Sequence, residues 1–159
     1  MLFLRALMAF LILPAAVGGL LPWMVLLNDQ WRRPSIPLGW PVLLLGVSVL
    51  LWCVRDFYIA GKGTLAPWDP PKNLVVVGLY RYVRNPMYIG VLATVLGWSI
   101  IAGSPLMAAY AATIAIAFHL RVTFYEEPTL ARKFGDKWTR YFNRVNRWWP
   151  QLSPDKNLK

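Results

Sequence analysis

Four apolar runs without a charged residue constrain the fold of this chain more than any other feature. They cover residues 6–27, 36–54, 87–102 and 106–120. An apolar stretch of about 20 residues can cross the roughly 30 Å of hydrocarbon in a bilayer. The first two runs approach or exceed that length, whereas the last two, with 16 and 15 residues, need flanking residues to complete a span.

These runs explain why 57% of the residues are hydrophobic and only 15% are charged. Soluble domains carry about 25% charged residues. We therefore expect an all-α polytopic membrane protein with four transmembrane helices, forming a single domain over residues 1–159. The first run resembles a secretory signal, but it is longer than most signal sequences and is expected to be retained as a span.

The basic residues indicate how the helices are oriented. If all four runs cross the membrane, Arg5, the central loop 61–85 and the tail after Arg121 lie on one side, and only Arg32 and Arg33 lie on the other. Cytoplasmic loops are enriched in Lys and Arg. We therefore expect both termini and the central loop to be cytoplasmic, in the inner membrane if the source is bacterial. This topology and lipid contact explain the net charge of +10, so nucleic acid is not an expected partner.

Two residue types exclude common kinds of site. The single cysteine, Cys53, rules out an internal disulfide and a thiolate metal cluster. The single histidine, His119, has no second histidine with which to share a metal, so we interpret it as a polar residue of helix packing. No metal site is expected.

The stretch 78–90 joins a basic, aromatic loop to the third apolar run. Asn85 can accept a hydrogen bond from free N–H groups at a helix start, and Pro86 suits the first helical position. A helix start with Arg84 beside it is a candidate site for a small anion such as a carboxylate. Tyr88, four residues after Arg84, should lie on the same helical face.

The third and fourth runs should form a tight antiparallel hairpin. They are joined by Gly103-Ser104-Pro105, in which Ser104 can cap the next helix and Pro105 can begin it. The hairpin returns the chain to the side from which it left. It should therefore place Arg121 and the adjacent acids Glu126 and Glu127 beside Arg84 and Tyr88.

The sequence of the tail predicts a basic amphipathic helix over residues 127–149. Its apolar positions recur at helical spacing: Leu130, Phe134, Trp138, Tyr141, Phe142, Val145 and Trp148. Helices of this kind lie on anionic lipid surfaces. We expect this one also to cover a pocket on the cytoplasmic side of the hairpin.

Two groups of residues carry a family resemblance: the segment 80–90, and Tyr125-Glu126-Glu127-Pro128 with Phe134-Gly135, Tyr141 and Arg147-Trp148-Trp149-Pro150. They resemble the integral-membrane methyltransferases of the isoprenylcysteine carboxyl methyltransferase family. The run 85–88 and the double glutamate are equally similar to phosphatidylethanolamine N-methyltransferases. In the isoprenylcysteine enzymes the position of Asn85 is usually histidine.

The resemblance implies a methyltransferase that uses S-adenosylmethionine and acts on a membrane-embedded or lipid-like acceptor. By motif match it implies Asn85, Tyr88, Glu126 and Glu127 as cofactor-binding residues, and we expect Gly78, Tyr80 and Arg84 to bind the cofactor with them. It also implies that Arg121 acts on the substrate, so that Arg121 and Glu126 are the expected catalytic residues.

The sequence leaves the acceptor open. A carboxylate acceptor would use Arg121 as its clamp, and an amine acceptor would use Glu126 to take its proton. The isoprenylcysteine-like and phospholipid-like interpretations both remain, as does a non-catalytic scaffold or lipid-binding protein in which the acids form structural ion pairs with the arginines.

Overall fold

The computed structural model describes residues 11–33, 36–61 and 73–153, whose regular structure is helical and includes no strand. The α-helices are α1 (Leu21–Asn28), α2 (Gly39–Asp56), α3 (Pro86–Ala102), α4 (Pro105–Arg121), α5 (Glu127–Phe134) and α6 (Asp136–Arg144). Wider π-helical turns cover Leu11–Leu20, Phe57–Gly61 and Val122–Glu126, and a 3-10 turn covers Gly78–Arg81. The predicted all-α class is confirmed for the described residues. Residues 6–10 of the first run and residues 62–72 of the loop 61–85 lie outside them.

Two helical runs are long and apolar enough to cross a membrane, namely Gly39–Ala60 and Pro105–Phe134. The runs Pro14–Asn28 and Pro86–Ala102 are apolar but shorter. Large apolar side chains on the outer faces are exposed, among them Leu45 (64%) and Ile116 (62%). An outer surface of this kind is typical of helices that contact lipid.

Helices α2 and α3 pack with their backbones in contact. A Cβ added to Gly97 would lie 2.6 Å from the Cα of Leu43, and one added to Gly90 would lie 3.0 Å from the backbone nitrogen of Leu50. Small residues permit such close approach between membrane helices. In the first run, by contrast, a Cβ added to Gly18 would be in ordinary contact with the Thr94 side chain at 3.8 Å. The small-residue interface is therefore between α2 and α3.

A short turn joins α3 to α4, as predicted. Gly103 adopts a left-handed φ of +54°, and the Ser104 hydroxyl accepts a hydrogen bond from the Met107 N–H at 2.9 Å. The predicted cap and helix start at Pro105 are confirmed. Helical structure then continues from α4 through Val122–Glu126 into α5. Because of this continuity, the rotation of α4 fixes where Glu126 and Glu127 point.

The tail contains two helices instead of the single helix predicted over 127–149. Gly135, with φ +52°, separates α5 from α6, since glycine adopts a left-handed conformation at little cost. After Arg144 the chain is not helical, and its backbone bonds to the loop before α3: the Arg84 N–H donates to the Asn146 carbonyl at 2.9 Å. These bonds hold the tail over the start of α3.

Candidate active site

A cavity of about 400 Å³ lies between the start of α3, the end of α4 and the tail helices. Pockets for small molecules usually measure about 300–1,000 Å³. Of the eight predicted site residues, seven line it: Tyr80, Arg84, Asn85, Tyr88, Arg121, Glu126 and Glu127. Gly78 is not among the lining residues.

The hairpin brings the two predicted groups of residues into contact. The Tyr88 hydroxyl, in the first turn of α3, donates a hydrogen bond to Oε1 of Glu126, which follows α4. Arg121 Nε donates to the same Glu126 oxygen at 2.8 Å and to the Tyr88 oxygen at 3.2 Å. This three-residue group is half-buried: the side chain of Glu126 is 26% exposed and that of Arg121 is 42% exposed. The fold-back expected from the order of the chain is confirmed.

Glu127 has a separate and more buried set of partners. Arg147 binds it in a bidentate manner, with Nε and Nη2 each 2.8 Å from a carboxylate oxygen. Arg84 Nη1 lies 3.1 Å from Glu127 Oε1, and both side chains are about nine-tenths buried. The Arg84 guanidinium also stacks 4.1 Å from the centre of the Phe142 ring. The adjacent glutamates therefore occupy different environments.

The charges around Glu127 do not cancel. Two guanidinium groups surround one carboxylate, which leaves an excess positive charge in the wall of the cavity. Burial lowers the pKa of Arg84, and the negative charge of Glu127 opposes that shift. Nε and Nη1 of Arg84 are buried and form no well-aligned hydrogen bond among the described residues, although Nη1 lies within ion-pair distance of Glu127. Nε of Arg84 therefore remains as a donor for a further acceptor.

One expectation for the start of α3 needs correction. Asn85 does not cap the helix; its side-chain nitrogen instead donates to the Arg147 carbonyl at 3.2 Å. The tail carbonyl lies within reach of this amide. Arg84, beside which a small-anion site was expected, pairs with the protein's own Glu127. Pro86 does occupy the first turn, as predicted.

Tyr80 lines the cavity, and Gly78 lies in the same 3-10 turn before α3. Tyr80 is buried, packs edge-on against Phe57, and its carbonyl accepts a hydrogen bond of 2.7 Å from the Tyr141 hydroxyl. Burial raises the pKa of Tyr80 well above its usual value. Gly78 has φ +53°, and an added Cβ would overlap the Asp56 carboxylate. The position of Gly78 is thus explained by backbone conformation and close packing.

His119 and Trp148 pack beside the site, next to Tyr88, without lining the cavity. The Trp148 indole N–H donates to His119 Nδ1 at 3.2 Å, and its ring centre lies 6.5 Å from that of Tyr88. His119 therefore bonds to the tail, a contact that the sequence did not indicate. Cys53 is fully buried, and the part of the chain that the structure describes has no group of three His, Cys, Asp or Glu residues able to hold a metal.

Arg147 and Phe142 contact the site residues Glu127 and Arg84, but sequence reasoning gave them no role of their own. Both belong to the tail, whose basic and aromatic residues were interpreted as contacts with lipid and as a cover for the pocket. The pairing of Arg147 with Glu127 spans 20 positions and depends on the break at Gly135. The only sequence signal for it was the closing motif 147–150.

Comparison with known proteins gives two matches. A family model described as phospholipid methyltransferase matches residues 35–137. The phosphatidylethanolamine N-methyltransferase of Yarrowia lipolytica (strain CLIB 122 / E 150) is 25% identical over 124 residues, which covers 67% of this chain. The matched region amounts to only 12% of that relative's length. No solved structure gives a significant match.

Proposed function

The chain belongs to the phospholipid methyltransferase family, and we propose that it is an S-adenosylmethionine-dependent methyltransferase acting on a lipid acceptor in the membrane. The observation that carries this proposal is the contact of Tyr88 and Arg121 with Glu126 inside one cavity. The family favours a phospholipid amine over the isoprenylcysteine carboxylate as acceptor.

We further propose that all four apolar runs cross the membrane, with both termini and the cavity on the cytoplasmic side. Helix α3 has 17 residues and, at about 1.5 Å per residue, is near 25 Å long. Aromatic residues at the ends of a short helix favour placement at the membrane interfaces, and Tyr88 and Trp98 lie near its two ends.

The residues around the cavity fit the cofactor. Its positively charged groups would be held by the carboxylate of Glu126, and its carboxylate by the excess positive charge that Arg84 and Arg147 place beside Glu127. When bound, the cofactor supplies an activated methyl group on a sulfonium. The tail, through Trp138 and Tyr141, would exclude water from that group, since both residues line the cavity and are buried.

The roles of Glu126 and Arg121 follow from their contacts. A protonated amine must lose a proton before it can accept a methyl group, and Glu126 is the proposed proton acceptor. Tyr88 and Arg121 fix the orientation of its carboxylate by donating hydrogen bonds to it. The remaining donors of Arg121 would bind the phosphate of the lipid, because guanidinium groups match phosphate geometry. Alignment of the methyl donor with the acceptor can lower the activation free energy by about 7–11 kcal/mol.

Transfer of a labelled methyl group tests the chemistry. The full chain in lipid nanodiscs should transfer label from S-adenosylmethionine to phosphatidylethanolamine. The label should remain on the lipid after mild base, because an N-methyl group is stable where a methyl ester is hydrolysed. A label released by base would identify a carboxylate acceptor instead and would contradict the proposed amine acceptor.

A non-catalytic scaffold is the second candidate function. The ion pairs Arg121–Glu126 and Arg84–Glu127 are the contacts that such a scaffold would require. Cofactor binding separates the two functions, since a scaffold binds neither S-adenosylmethionine nor its demethylated product.

A further inference from the structure

A second cavity, of about 350 Å³, lies at the far end of α3 from the candidate active site. It is lined by Trp23, Leu26, Leu27, Arg32, Arg33, Trp98, Ile101 and Ala102. Tyr88 and Ile101 are thirteen positions apart on α3, or about 20 Å along the helix axis. Trp23 and Leu27 are more than half exposed, so the cavity opens towards the surroundings of the protein.

Among the residues that the structure describes, the two arginines in this cavity have no acidic partner. No carboxylate lines it, and neither Arg32 nor Arg33 forms an ion pair within the described ranges. The acid in the same link, Asp29, is buried and already accepts hydrogen bonds from the Ser104 hydroxyl and the Trp31 N–H. The cavity therefore carries two positive charges that form no ion pair with any residue the structure describes.

The arginine side chains are also not needed to cap α3. A helix ends with four carbonyls that have no partner inside it. At the end of α3, backbone N–H groups satisfy all four: Ser104 bonds to Ser99 at 3.1 Å, Gly103 to Ile100 at 3.2 Å, Ile36 to Ile101 at 3.1 Å and Arg33 to Ala102 at 3.2 Å. These bonds hold the backbone of Arg33 in place and leave its guanidinium available.

We propose that this cavity binds a phospholipid of the leaflet opposite the candidate active site. Arg32 and Arg33 would hold its phosphate, since guanidinium groups bind phosphate oxygens in a bidentate manner. One acyl chain would lie along Trp23, Leu27 and Trp98. A lipid fits better than a soluble anion because six of the eight lining residues are apolar.

A bound phospholipid would also explain why two basic residues, Arg32 and Arg33, lie on the outer side of the membrane in the proposed topology. In the proposed topology Arg32 and Arg33 are the only basic residues on the outer side, where Lys and Arg are disfavoured. A bound phosphate would neutralise them and tie the link between α1 and α2 to the end of α3. The site is separate from the proposed methyl transfer and does not depend on it.

Photo-crosslinking tests the proposal at the site itself. The full chain would be incorporated into nanodiscs with phosphatidylglycerol carrying a diazirine in one acyl chain, and the adducts mapped by mass spectrometry. We expect adducts on residues 23–33 and 98–102. Their yield should fall about tenfold in the double variant Arg32→Gln, Arg33→Gln, because each lost guanidinium removes charge-assisted hydrogen bonds. The matched control Arg132→Gln, Lys137→Gln removes two exposed charges from the tail and should keep the yield.

Two further arms use the unchanged chain and do not depend on a variant folding correctly. Diazirine-labelled diacylglycerol, which lacks the phosphate, should give few adducts at this site. Inorganic phosphate should not displace the labelled phospholipid. Equal labelling by diacylglycerol, displacement by inorganic phosphate, or an unchanged yield in the arginine variant would each overturn the proposal.

Discussion

Glu127→Gln should destabilise the protein far more than the same change at its neighbour. The substitution removes the negative charge that faces Arg84 and Arg147 while it keeps the size of the side chain. Arg84 Nη1 lies 3.1 Å from the carboxylate and Arg147 makes two bonds of 2.8 Å to it. Both guanidinium groups would then lie close together beside a neutral amide.

The expected magnitude follows from burial. The side chains of Glu127 and Arg84 are only 10% and 8% exposed, so the arginine cannot recover its hydration without moving. Removing one partner of a buried ion pair usually costs about 3–5 kcal/mol. We therefore expect a loss of roughly 3 kcal/mol in the free energy of unfolding.

Glu126→Gln is the matched control, because it makes the same chemical change one residue earlier. The side chain of its partner Arg121 is 42% exposed, and partly exposed pairs contribute about 1 kcal/mol or less. Both variants would be unfolded in mixed micelles of increasing denaturing detergent and followed by circular dichroism. Equal losses for the two variants, or a loss under about 1 kcal/mol for Glu127→Gln, would refute the assignment of a buried charge cluster.

Three other changes test the site and its frame. Gly78→Ala should lower stability by about 1–2 kcal/mol in a thermal unfolding assay, because alanine disfavours a positive φ and its Cβ would overlap a buried carboxylate; an unchanged melting temperature would contradict this. Tyr88→Phe should reduce methyl transfer about 100-fold, because Glu126 loses the hydroxyl that donates to it. The control Tyr110→Phe removes a hydroxyl that donates to the Val17 carbonyl and should retain activity. Equal activities of the two variants would argue against a role for the Tyr88 hydroxyl. Deleting residues 137–159 removes one wall of the cavity. It should weaken binding of the demethylated cofactor at least tenfold in an equilibrium binding assay. Unchanged affinity would mean that the tail is only a membrane anchor.

The sequence predicted those parts of the site that follow from chain order. An apolar hairpin of nearly equal arms must return its end to its beginning, so the meeting of Glu126 with Tyr88 required only the turn at Gly103-Ser104-Pro105. The turn itself has a local signature, which the Ser104 cap confirms. The same reasoning anticipated that Arg84 and Glu127 would be neighbours.

The remaining features depend on the route of the tail in space, which periodicity does not encode. A helical repeat of apolar residues runs through Gly135, so the sequence predicted one helix where glycine separates two. That break lets Arg147 reach Glu127 and lets the Asn85 amide bond to the Arg147 carbonyl instead of capping α3. The close packing of α2 on α3 was missed for a similar reason, because glycines in an apolar run do not name their partner helix.

Binding of the demethylated cofactor, S-adenosylhomocysteine, tests the central claim most directly. Isothermal titration calorimetry of the full chain in nanodiscs should show one molecule bound per chain. A scaffold whose glutamates serve only in ion pairs would release no binding heat, so the absence of binding by protein shown to be folded by circular dichroism would contradict the proposed methyltransferase.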